Sequence, residues 1–102
     1  MRAIVCEAFG SPQSLKLRYV EKPEIADDEV RVRTAVAGIN FPDSLIISGK
    51  YQLKPTMPFV PGFEFSGDII ELGAKVSGLT LGQRVMGMTS QGHGEFAQEV
   101  SA

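Results

Sequence analysis

The sequence predicts a mainly β fold with one short helix, arranged as a sandwich or a barrel. Several short segments either alternate apolar and polar residues or collect β-favouring residues, as strands do. Glycine and proline separate these segments and predict tight turns. One segment, residues 42–49, has a helical pattern instead. Many short strands joined by turns are typical of sandwiches and barrels.

Six strands are predicted. Residues 29–36 alternate most strictly and place their arginines on the face towards water. Residues 15–20 alternate in the manner of a half-buried strand. The other predicted strands are residues 3–7, 65–72, 84–88 and 95–100.

The predicted helix has a start signal and a stop signal. Pro42 lies in its first turn, where the missing N–H of proline is not needed. Asp43 places a carboxylate near the positive end of the helix dipole. Gly49 is suited to the left-handed conformation that ends many helices.

Length and composition fit one soluble globular domain over residues 1–102, with 43% apolar and 22% charged residues. The net charge of −2 argues against a nucleic-acid partner, because nucleic-acid binders usually carry a basic face. No apolar run is long enough to cross a bilayer and the start has no signal-peptide layout, so no membrane partner is expected. The single cysteine, Cys6, reads as a small buried apolar residue and fits a reducing, cytoplasmic setting.

Two stretches carry a pattern of spaced residues. The first is VAGINFPD at residues 36–43, followed by GKY at residues 49–51. The second is PFVPGFEFSGDII at residues 58–70. Together they resemble the signatures of quinone oxidoreductase-like enzymes of the medium-chain dehydrogenase/reductase family. The likeness continues in order to GEFAQ at residues 94–98 and covers essentially the whole chain.

The resemblance implies a GroES-like, partly open β-barrel with a short helix. In the family this N-terminal domain packs against a Rossmann domain, which this chain does not include, and the active site lies between the two. The full-length enzyme would be a homodimer that uses NADPH to transfer hydride to a quinone or an enone. The phosphate-binding glycine turn is missing, so we expect the chain alone to be inactive and not to bind NADPH.

Two departures from the zinc-dependent relatives predict a zinc-independent protein. Those relatives have a cysteine at the position of Asn40 and a histidine at that of Phe63. Neither replacement supplies the thiolate or imidazole that zinc favours. The cysteine lobe that holds structural zinc in those relatives is also missing, and one Cys and one His cannot assemble an ordinary zinc site.

Three residues are predicted to form the site, each with a structural alternative. The carboxamide of Asn40 can donate and accept, which suits a nicotinamide amide or a substrate carbonyl; otherwise it satisfies backbone groups ahead of a helix. Asp43 could orient Asn40 or the cofactor, or could only serve the helix start. Tyr51 could donate its phenol to a substrate oxygen, or could be a core tyrosine.

Other features receive structural interpretations. Glu64 resembles a glutamate that lies near the metal in zinc-dependent relatives; without metal we expect it to pair with a basic group or backbone amides. Pro61 and Gly62 predict a tight turn. Residues 92–97 match a G-x-G-x-x-A dinucleotide fingerprint, but a strand-like run follows them, so a loop with a solvated His93 is expected.

Two alternatives to an enzyme domain remain. One is a non-enzymatic binding module, co-chaperonin-like or scaffolding, built on the same barrel. The signatures at residues 36–51 and 58–70 would have no role in it. The other is a degenerate remnant of the family, although the abrupt end after a predicted strand favours a truncated piece of a longer enzyme.

Overall fold

A computed structural model describes all residues, 1–102, and contains six strands, one α-helix and one 3₁₀ helix. The strands are β1 (Arg2–Val5), β2 (Lys16–Tyr19), β3 (Val30–Gly38), β4 (Glu64–Leu72), β5 (Arg84–Met88) and β6 (Glu99–Ser101). The helices are α1 (Phe41–Ile47) and the 3₁₀ helix (Pro12–Ser14). No helix is long and apolar enough to span a membrane.

The strands form two antiparallel sheets. The larger sheet has the order β5-β4-β3-β6, and β1 pairs with β2 in a separate sheet. Isolated bridges from Ala3 to Ala97 and from Cys6 to Phe59 tie β1 to the rest of the chain. The sheets do not close on themselves. This arrangement confirms the prediction of a mainly β, partly open barrel with one short helix.

The core has two parts. The first lies on one face of the larger sheet and consists of Val30, Val32, Phe65, Ile69 and Val100. The second lies beneath α1 and consists of Cys6, Ile46, Ile47 and Phe59, which confirms the buried cysteine. Burial of such side chains stabilises a fold by roughly 1.5–3 kcal/mol each. The second cluster therefore fixes α1, and with it the residue that precedes the helix.

The helix prediction is confirmed with a small shift at its start. The helix α1 begins at Phe41, one residue earlier than predicted. Gly49 lies just beyond the end of the helix and has a φ angle of 75°, a backbone conformation that residues other than glycine rarely adopt. A Cβ atom at that position would also lie 2.9 Å from the ring of Phe9. Both constraints explain why glycine occupies this position just beyond the helix end.

Two strand predictions need correction. The strand β2 is exposed at all four residues rather than half-buried, with Leu17 at 60% and Tyr19 at 83% exposure, because it is an outer strand that pairs only with β1. The last strand, β6, is much shorter than the predicted 95–100. Residues 95–98, which precede β6, do not form a regular strand. They make only isolated contacts with β1: Ile4 N–H donates to the carbonyl of Phe96, and Ala97 forms a single bridge to Ala3.

The alternation predicted for β3 is broken by its pairing with β4. The register shifts between Arg31 and Val32, and again between Thr34 and Val36. Such a shift acts as a bulge and changes which side chains face the core, so Val36 is 62% exposed. Arg31 was predicted to be solvent-exposed but is half-buried, and its Nη2 forms an ion pair with Glu71 Oε1 at 3.2 Å.

Candidate functional site

Asn40 lies at the junction of β3 and α1, where it is the N-cap residue of the helix. Its Nδ2 donates a hydrogen bond to Glu64 Oε2 over 3.1 Å. A carboxylate oxygen can only accept, so the amide nitrogen must be the atom that faces Glu64. The carbonyl oxygen of the same amide is then directed away from Glu64. The residue is half-buried, which leaves it within reach of a ligand.

Asp43 holds the backbone of Asn40. Its Oδ2 accepts a hydrogen bond from the Asn40 N–H over 2.7 Å, which is one of the two bonds of a capping box, while the Asp43 N–H donates to the backbone carbonyl of Asn40 over 3.0 Å. The side chain is buried, and this burial raises the pKa of the Asp43 carboxyl; the Asn40 hydrogen bond lowers it and the nearby Glu64 raises it. The structure therefore brings Asp43 and Asn40 together, and Asp43 also serves the helix start.

Glu64 is exposed on β4, and the prediction that it pairs with a basic group or backbone amides is wrong. It forms no ion pair with a basic group and no hydrogen bond with a backbone amide; its partner is the side chain of Asn40. The opposing residue in the register is Gly38. A Cβ atom on Gly38 would lie 2.6 Å from Glu64 Oε2, so this glycine leaves the space that the carboxylate occupies.

Glu95 is a buried acidic residue whose environment the sequence did not predict. It is 0% exposed, and neither of its carboxyl oxygens has a hydrogen-bond partner. Burial, followed by repulsion from Asp43 and Glu64, raises the pKa of Glu95 to about 8. Burial therefore favours the neutral carboxylic acid of Glu95 over its carboxylate.

A backbone hydrogen bond joins Glu95 to the segment just ahead of β4, the strand that carries Glu64. Gly62 has φ of 88°, and its carbonyl accepts a hydrogen bond from Glu95 N–H over 3.0 Å. The neighbouring Pro61 carbonyl accepts from Phe96 N–H over 3.0 Å. A Cβ atom on Gly62 would lie 2.6 Å from the Phe96 ring, so the need for glycine is explained, but the predicted tight turn is wrong because this segment runs beside residues 94–96 without turning.

An exposed apolar surface adjoins the Asn40–Glu64 pair. The register places Val36, Met86 and Met88 on the same sheet face as Glu64. All three are exposed, as are Ile39 and Phe41 beside Asn40; we call these five residues the apolar face. A few polar groups beside apolar side chains are typical of sites for organic ligands.

The candidate site is an open surface and does not coincide with a large cavity of the fold. That cavity has a volume of about 630 Å³ and lies elsewhere, lined by residues that include Met1, Glu21 and Phe59. None of the four residues Asn40, Asp43, Glu64 and Glu95 lines it. We place the site at the polar pair, because the cavity offers neither the predicted residues nor their hydrogen bonds.

Tyr51 is not joined to the other predicted site residues. Its side chain is half-buried and packs against the apolar cluster beneath α1. It forms no hydrogen bond with Asn40 or Asp43. Its contact with a substrate oxygen stays a prediction.

The segment at residues 92–97 is a loop, as predicted. Gly92 and Gly94 have positive φ angles, and no helix follows. His93 is half-buried rather than solvated, because its ring packs edge-on against Phe59 with 5.9 Å between the ring centroids. Burial accordingly lowers the pKa of His93. His93 therefore contributes to the packing around Phe59.

The positions that carry zinc ligands in zinc-dependent relatives are occupied by residues with other contacts. Asn40 is engaged with Glu64, and the carbonyl of Phe63 accepts a hydrogen bond from Thr89 N–H over 2.7 Å. No group of three or more His, Cys, Asp or Glu side chains is arranged to hold a metal ion. Zinc independence stays a prediction.

Known proteins match both the sequence and the fold. The family model of the alcohol dehydrogenase GroES-like domain matches residues 26–101. A quinone oxidoreductase-like protein 2 homolog from Nematostella vectensis is 43% identical over 93 residues, which covers 91% of this chain and 25% of that protein. The human synaptic vesicle membrane protein VAT-1 homolog-like protein superimposes with a TM-score of 0.93 at 36% identity, covering 100% of this chain and 32% of that one.

Escherichia coli quinone oxidoreductase, in a crystal structure with NADPH, superimposes with a TM-score of 0.90 at 26% identity, over 99% of this chain and 30% of that one. The chain thus spans about a quarter to a third of the length of these proteins. The matched segment contains the Asn40–Glu64 pair and the buried Glu95. The chain belongs to the alcohol dehydrogenase GroES-like domain family of medium-chain dehydrogenases/reductases, alongside the quinone oxidoreductases.

Proposed function

We propose that this chain is the N-terminal substrate domain of an NADPH-dependent oxidoreductase that reduces a quinone or an enone. One observation carries the proposal: a half-buried carboxamide, Asn40, is held by two carboxylates beside an exposed apolar face. The quinone oxidoreductase relatives, one of them bound to NADPH, support the assignment of cofactor and substrate class.

The proposed contact with the cofactor or substrate is made by Asn40. Its carbonyl, directed away from Glu64, can accept from the amide N–H of a nicotinamide. When bound, NADPH supplies the hydride. Asp43 and Glu64 act as positioning residues, because they hold the backbone and the side chain of Asn40 respectively. This geometry therefore fits the nicotinamide end of the cofactor.

The apolar face is proposed to receive the electron-poor acceptor. Val36, Met86 and Met88 provide a surface on which a planar apolar molecule loses contact with water. We propose that Tyr51 adds a phenol donor for the acceptor oxygen in the full-length protein. As hydride reaches the acceptor, its carbonyl oxygen gains negative charge, which a hydrogen-bond donor stabilises.

The chain has no element suited to the other end of the cofactor. Pyrophosphate is usually held by a glycine-rich turn between a strand and a helix N-terminus. The only α-helix here has seven residues and begins at the capping box of Asn40. We therefore propose that a Rossmann domain elsewhere in the full-length protein binds the pyrophosphate and forms the homodimer, and that the isolated chain is inactive.

Substitution of Asn40 tests the role of the pair. In the full-length enzyme, Asn40→Ala is expected to lower kcat/KM by roughly 30-fold, since a hydrogen bond formed mainly in the transition state contributes about 2 kcal/mol. Steady-state kinetics and thermal melts on the same protein measure this. The matched control is Ser44→Ala, which removes an exposed hydroxyl from the same helix. If Asn40→Ala and Ser44→Ala had the same kcat/KM, the role of Asn40 would be purely structural.

A further inference from the structure

Gly38 has no role in the proposed function, and its own backbone does not require glycine. It is the last residue of β3 and lies opposite Glu64 in the register with β4. Its φ angle is not positive, so it lies outside the left-handed region that favours glycine. Glycine weakens a strand, because it has no side chain to pack, and it often marks a close approach of other atoms. The space beside Gly38 is therefore the feature to explain.

That space is occupied by the carboxylate that holds Asn40. The three atoms nearest to a Cβ atom on Gly38 would all belong to Glu64: Oε2 at 2.6 Å, and Cβ and Cδ at 3.4 Å. Oε2 is also the oxygen that accepts the hydrogen bond from Asn40 Nδ2 over 3.1 Å. A methyl group on residue 38 and this hydrogen bond thus compete for one position of the carboxylate.

The carboxylate can yield without a change in the fold. Glu64 is exposed, so its side chain can turn to another rotamer that points into water. Gly67, on the same pair of strands, differs, because its Cβ would lie 2.1 Å from a backbone oxygen, that of Arg33. An alanine in place of Gly38 should therefore displace the Glu64 side chain rather than the strands.

Glu64 holds only the side chain of Asn40. The backbone N–H of Asn40 is held separately, by Asp43 Oδ2 at 2.7 Å, and this bond does not involve Glu64. Displacement of Glu64 removes the hydrogen bond of Nδ2 and lets the carboxamide rotate. Its nitrogen, a donor, and its oxygen, an acceptor, can then exchange positions. Which of the two atoms faces a ligand is no longer fixed.

We propose that Gly38 is a positioning residue: because it has no side chain, Glu64 can hold the nitrogen of the Asn40 carboxamide and turn its carbonyl away. Gly38 acts through Glu64 and not through the backbone of β3. The effect on the carboxamide concerns the chain alone. Only its consequence for catalysis rests on the proposed function.

The test observes Asn40 directly, without turnover. Asn40 is the only asparagine in the chain, so side-chain ¹⁵N-labelled asparagine gives one pair of NH₂ signals, which report the bond to Glu64. We expect Gly38→Ala to move these signals to their positions in Glu64→Ala. The double variant should match Glu64→Ala, because no carboxylate remains to be displaced. The matched control is Gly87→Ala on β5, where the nearest atom to a new Cβ lies 3.6 Å away, and it should keep the wild-type signals.

Three outcomes would overturn the proposal. The first is a set of wild-type signals in Gly38→Ala. The second is a double variant that differs from Glu64→Ala, because Gly38 would then act through the backbone. The third is a Gly38→Ala chain that does not fold in thermal melts, because the missing Cβ would then serve the fold.

Kinetics of the full-length enzyme separate this inference from the proposed function. Gly38→Ala is expected to lower kcat/KM by about 5-fold, the loss typical of one hydrogen bond, and the double variant should lose no more than Glu64→Ala. Unchanged turnover in Gly38→Ala together with shifted Asn40 signals would confirm the role of Gly38 and contradict the proposed function.

Discussion

At the scale of single residues, the description of the candidate site involves one amide, Asn40, and three carboxyl groups that differ in their hydrogen bonds. Asp43 and Glu64 each gain a hydrogen bond from Asn40, whereas Glu95 gains none. Asp43 and Glu95 both have raised pKa values, with burial as the largest cause. Perturbed carboxyl groups of this kind are concentrated at functional sites. Here Asp43 is bonded to the backbone of Asn40, whose carboxamide is proposed to contact the nicotinamide.

The buried glutamate makes stability depend on pH. The pKa of Glu95 rises from 4.5 to about 8 on folding. Between these values the unfolded chain releases the proton and the folded chain keeps it, so the wild type loses stability as pH rises. Glu95→Gln is expected to have nearly unchanged stability at about pH 4 and to be more stable than the wild type by on the order of 2 kcal/mol at about pH 9. Urea unfolding at both pH values measures the difference.

The control for this prediction is an exposed glutamate. Glu24 forms no hydrogen bond or ion pair, so Glu24→Gln should change stability by less than about 0.5 kcal/mol at either pH. If Glu95→Gln followed the wild type at both pH values, folding would not raise the pKa of Glu95.

The sequence indicated part of the site at this scale. Asn40 and Asp43 are neighbours at a helix start, a local relation that the sequence shows directly. Glu95 was placed at the start of a predicted strand, and nothing local signals its burial. Its backbone hydrogen bond to Gly62 joins residues that are far apart in the sequence. The partner of Glu64 was missed for the same reason.

At the scale of elements, the pairing of β3 and β4 sets the geometry of the site. Gly67 on β4 lies opposite Thr34, between the two ends of the pair. A Cβ atom on Gly67 would lie 2.1 Å from the carbonyl oxygen of Arg33 and 2.8 Å from Val32. The backbone oxygen cannot move aside without displacing β3. Close packing of these strands thus requires glycine at this position.

We expect Gly67→Ala to destabilise the fold by about 3 kcal/mol, because the methyl group must push the two strands apart. The matched control is Gly87→Ala on β5, where the nearest atom to a new Cβ is the Phe65 ring at 3.6 Å, an ordinary contact. This variant should differ from the wild type by less than about 0.5 kcal/mol. Chemical denaturation measures both, and similar losses would show that the β3–β4 contact is looser than described.

Elements with local signals were predicted well, and those set by pairing were not. The helix α1 was found within one residue at its start, because proline and glycine mark its ends. The strand β5 has the predicted bounds, Arg84–Met88. The exposure of β2 and the register shifts in β3 arise from neighbours that the sequence does not reveal. Alternation therefore predicted strands without predicting which face is buried.

At the scale of the whole molecule, the apolar face leaves several large side chains in water. Met86 is 84% exposed and lies on the same sheet face as Val36. Several exposed apolar side chains on one sheet face favour association. We expect the isolated chain to self-associate as its concentration rises, and Met86→Lys to shift this association to higher concentration. Light scattering across a concentration series measures the shift.

The control for association is Tyr19→Lys, because Tyr19 is 83% exposed but lies on β2, in the other sheet. It should leave the concentration dependence close to that of the wild type. A wild-type chain that stays monomeric at high concentration would contradict the prediction. Equal effects of the two substitutions would show that association does not depend on the apolar face.

The central claim is that this domain serves an NADPH-dependent reductase of quinones or enones and cannot act alone. The most direct measurement is NADPH oxidation by the full-length protein with one quinone and one enone. It is paired with calorimetric titration of NADPH into the isolated chain of 102 residues. We predict acceptor-dependent oxidation of NADPH by the full-length protein and no measurable binding to the chain. Micromolar binding to the chain, or no oxidation with either acceptor, would contradict the account.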